Sequence, residues 1–274
     1  MIIAATYTDI PWNQAAPVLY RGEMQETFRM IREDGFEGVE MHIHDSSQED
    51  PGQIRSALDA AGLTLTSIGT GTAYGRDHLS LSSPLQETRS AAVCRIKGHI
   101  DLAGRFPGTV VILGLIRGKL SDSTDPALYW DLLSDSLADC GEYAQKRNFT
   151  LVLEAINRHE SDTLRTAEEG LAYLKKLDLP AVRLHLDTYH MSIEEENPAG
   201  AILKAGSLLG HVHAADADRW YPGHDQFDFG AVFSSLKKIS YQGAVAVEAL
   251  CRPDMRTAGQ KSASCLNQCL CSAI

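Results

Sequence analysis

Four short apolar runs decide the fold: Thr150-Leu151-Val152-Leu153-Glu154-Ala155-Ile156, Val182-Arg183-Leu184-His185-Leu186-Asp187, Leu209-Gly210-His211-Val212-His213-Ala214 and Ala244-Val245-Ala246-Val247-Glu248-Ala249-Leu250. Each has strand length, and each carries a metal-competent side chain at or near its C-terminal end: Glu154, Asp187, His213 and Glu248. Side chains alternate between the two faces of a strand. Leu151 and Leu153 therefore oppose Val152 and Glu154; Leu184 and Leu186 oppose His185 and Asp187. Val212 opposes His211 and His213, and Val245 and Val247 oppose Ala246 and Glu248. Every strand keeps an aliphatic face for packing under helices and turns its ligand candidate to the other side. That division is what a parallel barrel covered by helices requires.

Outward from this stretch the alternation continues over residues 1–274. Strands are expected at Ile2–Thr8, Gly38–His44, Leu63–Gly69 and Thr109–Gly114. Helices are expected at Gly22–Glu33, Pro51–Ala61, Pro84–Ala103, Pro126–Arg147, Thr166–Leu177, Glu194–Ala205, Phe229–Ile239 and Arg256–Leu270. Pro51 and Pro126 stand where a first helical turn tolerates proline, and Gly35 and Gly62 stand where helices end. The Gly-, Ser- and Thr-rich segment Thr70–Ser83 reads as a loop at the site. Eight strand–helix units imply parallel pairing through right-handed crossovers. At 274 residues they favour one closed (β/α)8 TIM barrel, an α/β single domain, since such barrels run to about 250 residues. No Gly-x-Gly-x-x-Gly follows the first strand, and no P-loop is present.

Hydrophobic residues make up 44% of the chain, enough for a full core. The formal net charge is −11, and no Lys/Arg run stands out, so nucleic acid is not an expected partner. No apolar run approaches the roughly 20 residues that span a bilayer. The N-terminus lacks a basic, then apolar, leader. A cytoplasmic protein with reduced thiols is the expectation. Four of the six cysteines, Cys251, Cys265, Cys269 and Cys271, lie near the C-terminus without paired Cys-x-x-Cys spacing, which points to thiols around a helix rather than zinc.

In a barrel of this kind the C-terminal strand ends form the site. Glu154, Asp187, His213 and Glu248 then offer three carboxylates and one imidazole to a cation. Oxygen-rich sites suit Mn²⁺, Mg²⁺ or Co²⁺, and Zn²⁺ accepts the same ligands. A substrate chelating such a cation through a carbonyl and an adjacent hydroxyl would become acidic at the neighbouring carbon. Glu154 and Glu248 are long enough to serve as the acid/base pair that removes a proton from one face and returns one to the other, which is epimerisation. Taken singly, each would be a salt-bridge partner or a structural group; the shared parity of four favours a site. His185 and His211 are placed as supports for the ligands. Glu40, His42 and His44 share the inward face of the second strand, either in the pocket or as satisfied structural groups. Arg117 reads as an exposed loop cation, with phosphate binding the less expected alternative.

Three motifs carry a family resemblance: Leu153-Glu154-Ala155-Ile156-Asn157-Arg158-His159-Glu160, Leu186-Asp187-Thr188-Tyr189-His190-Met191, and Gly210-His211-Val212-His213 followed by Asp218-Arg219, with Val247-Glu248 closing the set. In these the chain resembles the xylose-isomerase-like TIM barrel superfamily of sugar phosphate isomerases/epimerases, and within it the ketose 3-epimerases of the D-tagatose/D-psicose type. The resemblance implies a divalent metal, Mn²⁺ first, on Glu154, Asp187, His213 and Glu248. It implies Glu154 and Glu248 as catalytic pair, and Glu160, His190 and Arg219 as sugar-binding residues. It also implies a small-molecule sugar substrate and a homodimer or homotetramer. Alternatives within the superfamily are aldose–ketose isomerases and inosose or keto-acid dehydratases; outside enzymes, a sugar- or inositol-binding protein. Ala214-Ala215-Asp216-Ala217 departs from the Gly-Glu pair of many ketose epimerases, and His159 stands where an aromatic is usual. The Asp218-Arg219-Trp220-Tyr221-Pro222-Gly223 segment looks closer to relatives acting on keto sugars or glycosides.

Overall fold

The structure is a computed structural model that describes residues 1–11, 16–123 and 125–272. Its strands are β1 (Ile2–Thr8), β2 (Gly38–His42), β3 (Thr64–Gly69), β4 (Val110–Leu113), β5 (Leu151–Glu154), β6 (Val182–Asp187), β7 (Leu209–Ala214) and β8 (Ala244–Val247). They pair in parallel in sequence order. The ring closes through β1 and β8, with Ile2 opposite Ala244 and Ala5 opposite Val247. A two-residue strand, Tyr20–Arg21, lies beside the end of β1. Helices α1 (Met24–Glu33), α2 (Pro51–Ala61), α3 (Gln86–Ala103), α4 (Pro126–Gln145), α5 (Ala167–Leu177), α6 (Pro198–Ala205), α7 (Phe229–Lys238) and α8 (Met255–Ser272) follow the eight strands in turn. The fold is the closed eight-stranded TIM barrel that the alternation predicts.

Local chemistry sets the helix bounds. Asp50 accepts from the Gly52 amide to start α2, with Pro51 as its first residue, and Gly62 ends it in the left-handed region at φ 66°. Asp125 and Thr166 cap α4 and α5 in the same way. The helix expected over Glu194–Ala205 begins later, at Pro198, and a separate short helix precedes it. A short helix, Thr188–Glu194, is capped by the Asp187 side chain, and α6 begins afresh at Pro198 behind the Asn197 cap. Proline lacks the amide a continuing helix needs, so the break falls there. Inside Thr70–Ser83 a short helix, Gly71–Gly75, replaces part of the expected loop.

The two faces of each strand are kept apart in three dimensions. Leu151, Leu153, Leu184, Leu186, Val212, Val245 and Val247 are buried in the main core with the helices. Inside the ring, Val152, Ile112 and Ala246 are buried apart from that core, together with Glu40, Ser67, His185 and His211. Two register shifts occur in the barrel, between Val39 and Glu40 against β3 and between Leu184 and His185 against β7. Bulges of this kind re-aim side chains and gather near sites. No helix among the described residues is long and apolar enough to cross a membrane.

Candidate metal centre and active site

Glu154 and Asp187 are the last residues of β5 and β6, His213 is the penultimate residue of β7, and Glu248 follows β8 directly. Their side chains meet. His213 Nδ1 lies 3.4 Å from Glu248 Oε2 and 3.9 Å from both Glu154 Oε1 and Asp187 Oδ2. One donor atom from each of the four lies within 4.8 Å of the others. His213 Nδ1 is buried and has no hydrogen-bond partner. A buried nitrogen that faces three carboxylates with no hydrogen-bond partner suits a cation, which would take the place of a proton there.

Arg219 reaches the same point from the loop after β7, with positive φ at 64°. Its guanidinium donates to Asp187 Oδ2 at 2.5 Å and to Glu248 Oε2, and stacks 4.6 Å from the centroid of the Tyr189 ring. Asp216, fully buried, holds that loop by accepting from the amides of Ala217, Gly223 and Phe227.

Crowded, buried charges shift one another. Burial, then the Glu248 charge, pushes Glu154 up to about 8. Glu248 is held below its ordinary value: burial works against this, but the His213 and Arg219 charges outweigh it. Burial opposes charge on His213 as well, yet Glu40 and Glu248 hold its pKa well above the usual imidazole value. Two neighbouring carboxylates whose environments push them apart are suited to act as acid and base.

The structure brings Glu160 and His190 to the same cavity. Asn157 ties them: its Nδ2 lies 2.7 Å from His190 Nδ1 and donates to Glu160 Oε1 at 3.3 Å. His190 Nε2 faces Glu154 Oε1 at 3.7 Å. Of the seven residues expected in the site, six line this cavity; Asp187 does not, although its carboxylate lies within 4.8 Å of the other three ligand candidates.

Other sequence expectations need correction. Arg117 is fully buried, not an exposed loop cation. It donates to the carbonyl of Glu154 at 2.7 Å, to that of Thr163 at 2.8 Å and to Ser161 Oγ at 3.0 Å, so it anchors the end of β5 and the loop bearing Glu160. β2 stops at His42, and His44 turns away to pair with Asp77 at 2.8 Å. His185 hydrogen-bonds to no ligand candidate: both its ring nitrogens are buried without a hydrogen-bond partner, and Nδ1 lies 4.0 Å from Glu154 Oε1. His211 hydrogen-bonds to Glu40 and not to a ligand candidate. Glu40 itself accepts from His42, His211, His213 and Ser67. Burial alone would raise its pKa; the His213 charge and the imidazole hydrogen bonds bring it well below the usual carboxylate range. The sequence signal for it was the Glu40-x-His42 alternation, which looks the same in a structural strand.

The cavity over this centre has a volume of about 360 Å³. Its acidic and imidazole wall is Glu40, His42, Glu154, His190, His213 and Glu248; Thr8, Thr70 and Thr72 add hydroxyls, and Val18, Ile112 and Ile156 add apolar surface. Fold and site together define a (β/α)8 barrel with a candidate cation centre beneath a pocket at its C-terminal mouth.

The chain belongs to the Xylose isomerase-like TIM barrel family, whose profile matches residues 28–269. It is 31% identical over 239 residues to the 3-dehydro-D-guloside 4-epimerase of Escherichia coli (strain K12), covering 84% of this chain and 88% of that protein. It is 35% identical over 208 residues to the D-psicose 3-epimerase of Ruminiclostridium cellulolyticum, covering 73% and 68%. Among solved structures, an L-ribulose 3-epimerase superposes with a TM-score of 0.82 at 25% identity, over 98% of this chain and 95% of that one. A 3-keto-D-glucoside 4-epimerase from E. coli does so with a TM-score of 0.83 at 25% identity, over 98% and 100%.

Proposed function

We propose that the protein is a divalent-cation-dependent sugar epimerase, acting on a ketose or keto sugar at a carbon next to its carbonyl. The observation that carries this is the convergence of Glu154, Asp187 and Glu248 on the unpartnered Nδ1 of His213 within the pocket. The epimerase relatives support the reaction class. Three carboxylate oxygens and one imidazole nitrogen fit a hard or borderline cation, Mn²⁺ foremost. When bound there, such a cation supplies Lewis-acid polarisation of a substrate carbonyl.

The chain's own residues do the rest. Glu154 and Glu248 each commit one oxygen to the centre and turn the other away. Glu154 Oε2 points to the wall at Gly114, and Glu248 Oε1 lies 3.9 Å from His42 on the β2 side. Those free oxygens are the ones that exchange protons with substrate carbon. One carboxylate takes the proton from the carbon beside the carbonyl; the other delivers a proton to its opposite face. The enzyme ends with the proton inventory it began with, shared differently between the two glutamates, and solvent restores it. Arg219, Glu160 and His190 bind and orient the sugar hydroxyls, with Asn157 fixing the last two.

The test is turnover in D₂O with Mn²⁺, on free ketoses and on 3-dehydro glycosides, followed by NMR. Epimerisation places deuterium at the inverted centre. Label on the adjacent carbon would mean isomerisation, and an alkene would mean dehydration. Glu154→Gln, which keeps shape but cannot take a proton, should cut exchange by about 10²–10⁴-fold. Retained exchange in that variant would remove Glu154 from the acid/base pair.

A further inference from the structure

β2 is not a sheet neighbour of β7, yet a side chain from β2 governs the imidazole that β7 contributes. Glu40 is fully buried inside the ring. Its carboxylate meets Ser67 Oγ at 2.5 Å, His42 Nε2 at 2.9 Å, His211 Nε2 at 3.0 Å and His213 Nε2 at 3.0 Å. The register shift between Val39 and Glu40 lies at this residue. A carboxylate with these donors accepts only, so each of the three imidazoles places a proton on Nε2. For His213 the consequence is specific: Nδ1 becomes the atom that offers a lone pair, and Nδ1 is the buried, unpartnered atom facing Glu154, Asp187 and Glu248.

We infer that Glu40 is a positioning residue for the cation centre: it fixes the tautomer and ring orientation of His213, so that Nδ1 is presented to the cation, and raises the basicity of that nitrogen. The inference rests on the cation-centre reading above. A carboxylate behind a metal-binding imidazole acts in this way, and its loss weakens metal binding by about 10–100-fold. His42 and His211 extend the role. By donating their Nε2–H groups to Glu40 as well, they hold its carboxylate against His213 from two further directions and supply the hydrogen bonds that a buried anion requires.

The experiment titrates Mn²⁺ calorimetrically into the metal-free wild-type protein and into Glu40→Gln and Glu40→Asp. Glutamine keeps the shape but loses the acceptor-only charge; aspartate keeps the charge and withdraws it from His213. Both are expected to bind Mn²⁺ about 10–100-fold more weakly. Thermal melting of the metal-free proteins separates this from loss of fold, since a merely structural role would move the melt and leave affinity alone. Either variant, folded and binding within threefold of wild type, overturns the inference. A second readout needs no variant. In the Mg²⁺-loaded wild-type protein, ¹⁵N spectra should show the His213 proton on Nε2; a proton on Nδ1 overturns the assignment. Wild-type protein that binds no Mn²⁺ would sink the cation centre and this inference with it, whereas binding that ignores Glu40 sinks the inference alone.

Discussion

Glycine at position 114 is a matter of space at Glu154. A Cβ built there would stand 2.6 Å from Glu154 Oε2, closer than any real contact. The same holds at Gly69, where a Cβ would meet the His42 ring at 2.8 Å. Gly114→Ala should therefore rotate the Glu154 carboxylate out of line while leaving the strand intact. A displacement of about 1 Å at a reacting group can reduce turnover about 100-fold. Steady-state kinetics should show that loss in kcat, with a circular dichroism spectrum like that of wild type; unchanged kcat would mean that Glu154 Oε2 has no part in proton transfer. The ligand candidates Glu154, Asp187, His213 and Glu248 were legible in the sequence because strand parity is periodic, and four repeats of one pattern are hard to produce by chance. Glu40 was legible only as an inward residue. Its partners on β7 lie 171 and 173 positions away, and no local pattern carries a contact of that range.

At the scale of elements, the loop after β5 depends on one buried cation. Arg117 closes the short turn Leu115–Arg117 and spends its hydrogen bonds mainly on carbonyls, those of Glu154 and Thr163. The burial of Arg117 is therefore not legible in the sequence: backbone acceptors exist at every position and leave no mark there. Burial lowers its pKa, offset by the nearby Tyr129 and Glu154 groups. Arg117→Met would leave two carbonyls and the Ser161 hydroxyl without this donor. Ser161 Oγ still donates to the Thr163 carbonyl, so the Glu154 carbonyl is the group left short, and the loss should be about 1–3 kcal/mol, read in denaturant unfolding. The loop it ties holds Glu160, so the variant should also raise KM. A loss below about 1 kcal/mol with unchanged KM would show that the loop is held by other contacts. The helix bounds, by contrast, were largely legible, because Asp50-Pro51, Asp125-Pro126 and Gly62 are local stop and start signals. The short helix Thr188–Glu194 leaves little periodic signal, and its cap, Asp187, doubles as a ligand candidate.

The pH range over which the whole barrel is stable depends on a histidine far from the proposed chemistry. His99 lies in α3, fully buried, with neither ring nitrogen hydrogen-bonded. Burial, helped by the Arg95 charge, lowers its pKa to about 3. In the unfolded chain the same ring titrates near 6.5. A group whose folded pKa is depressed stabilises the fold fully above its unfolded value and loses that contribution as pH falls towards the folded one. The window here is therefore about pH 6.5 down to about 3, and the unfolded state takes up the extra proton. Between pH 7 and pH 5 the linkage amounts to about 2 kcal/mol. His99→Leu removes it. Other groups titrate in both proteins, so the informative quantity is the difference between them. Urea unfolding at the two pH values should show the stability of wild type relative to His99→Leu falling by about 2 kcal/mol on acidification. An equal difference at pH 7 and pH 5 would mean that His99 gains a proton as readily in the folded barrel as outside it, and that the acid limit of the molecule is set elsewhere.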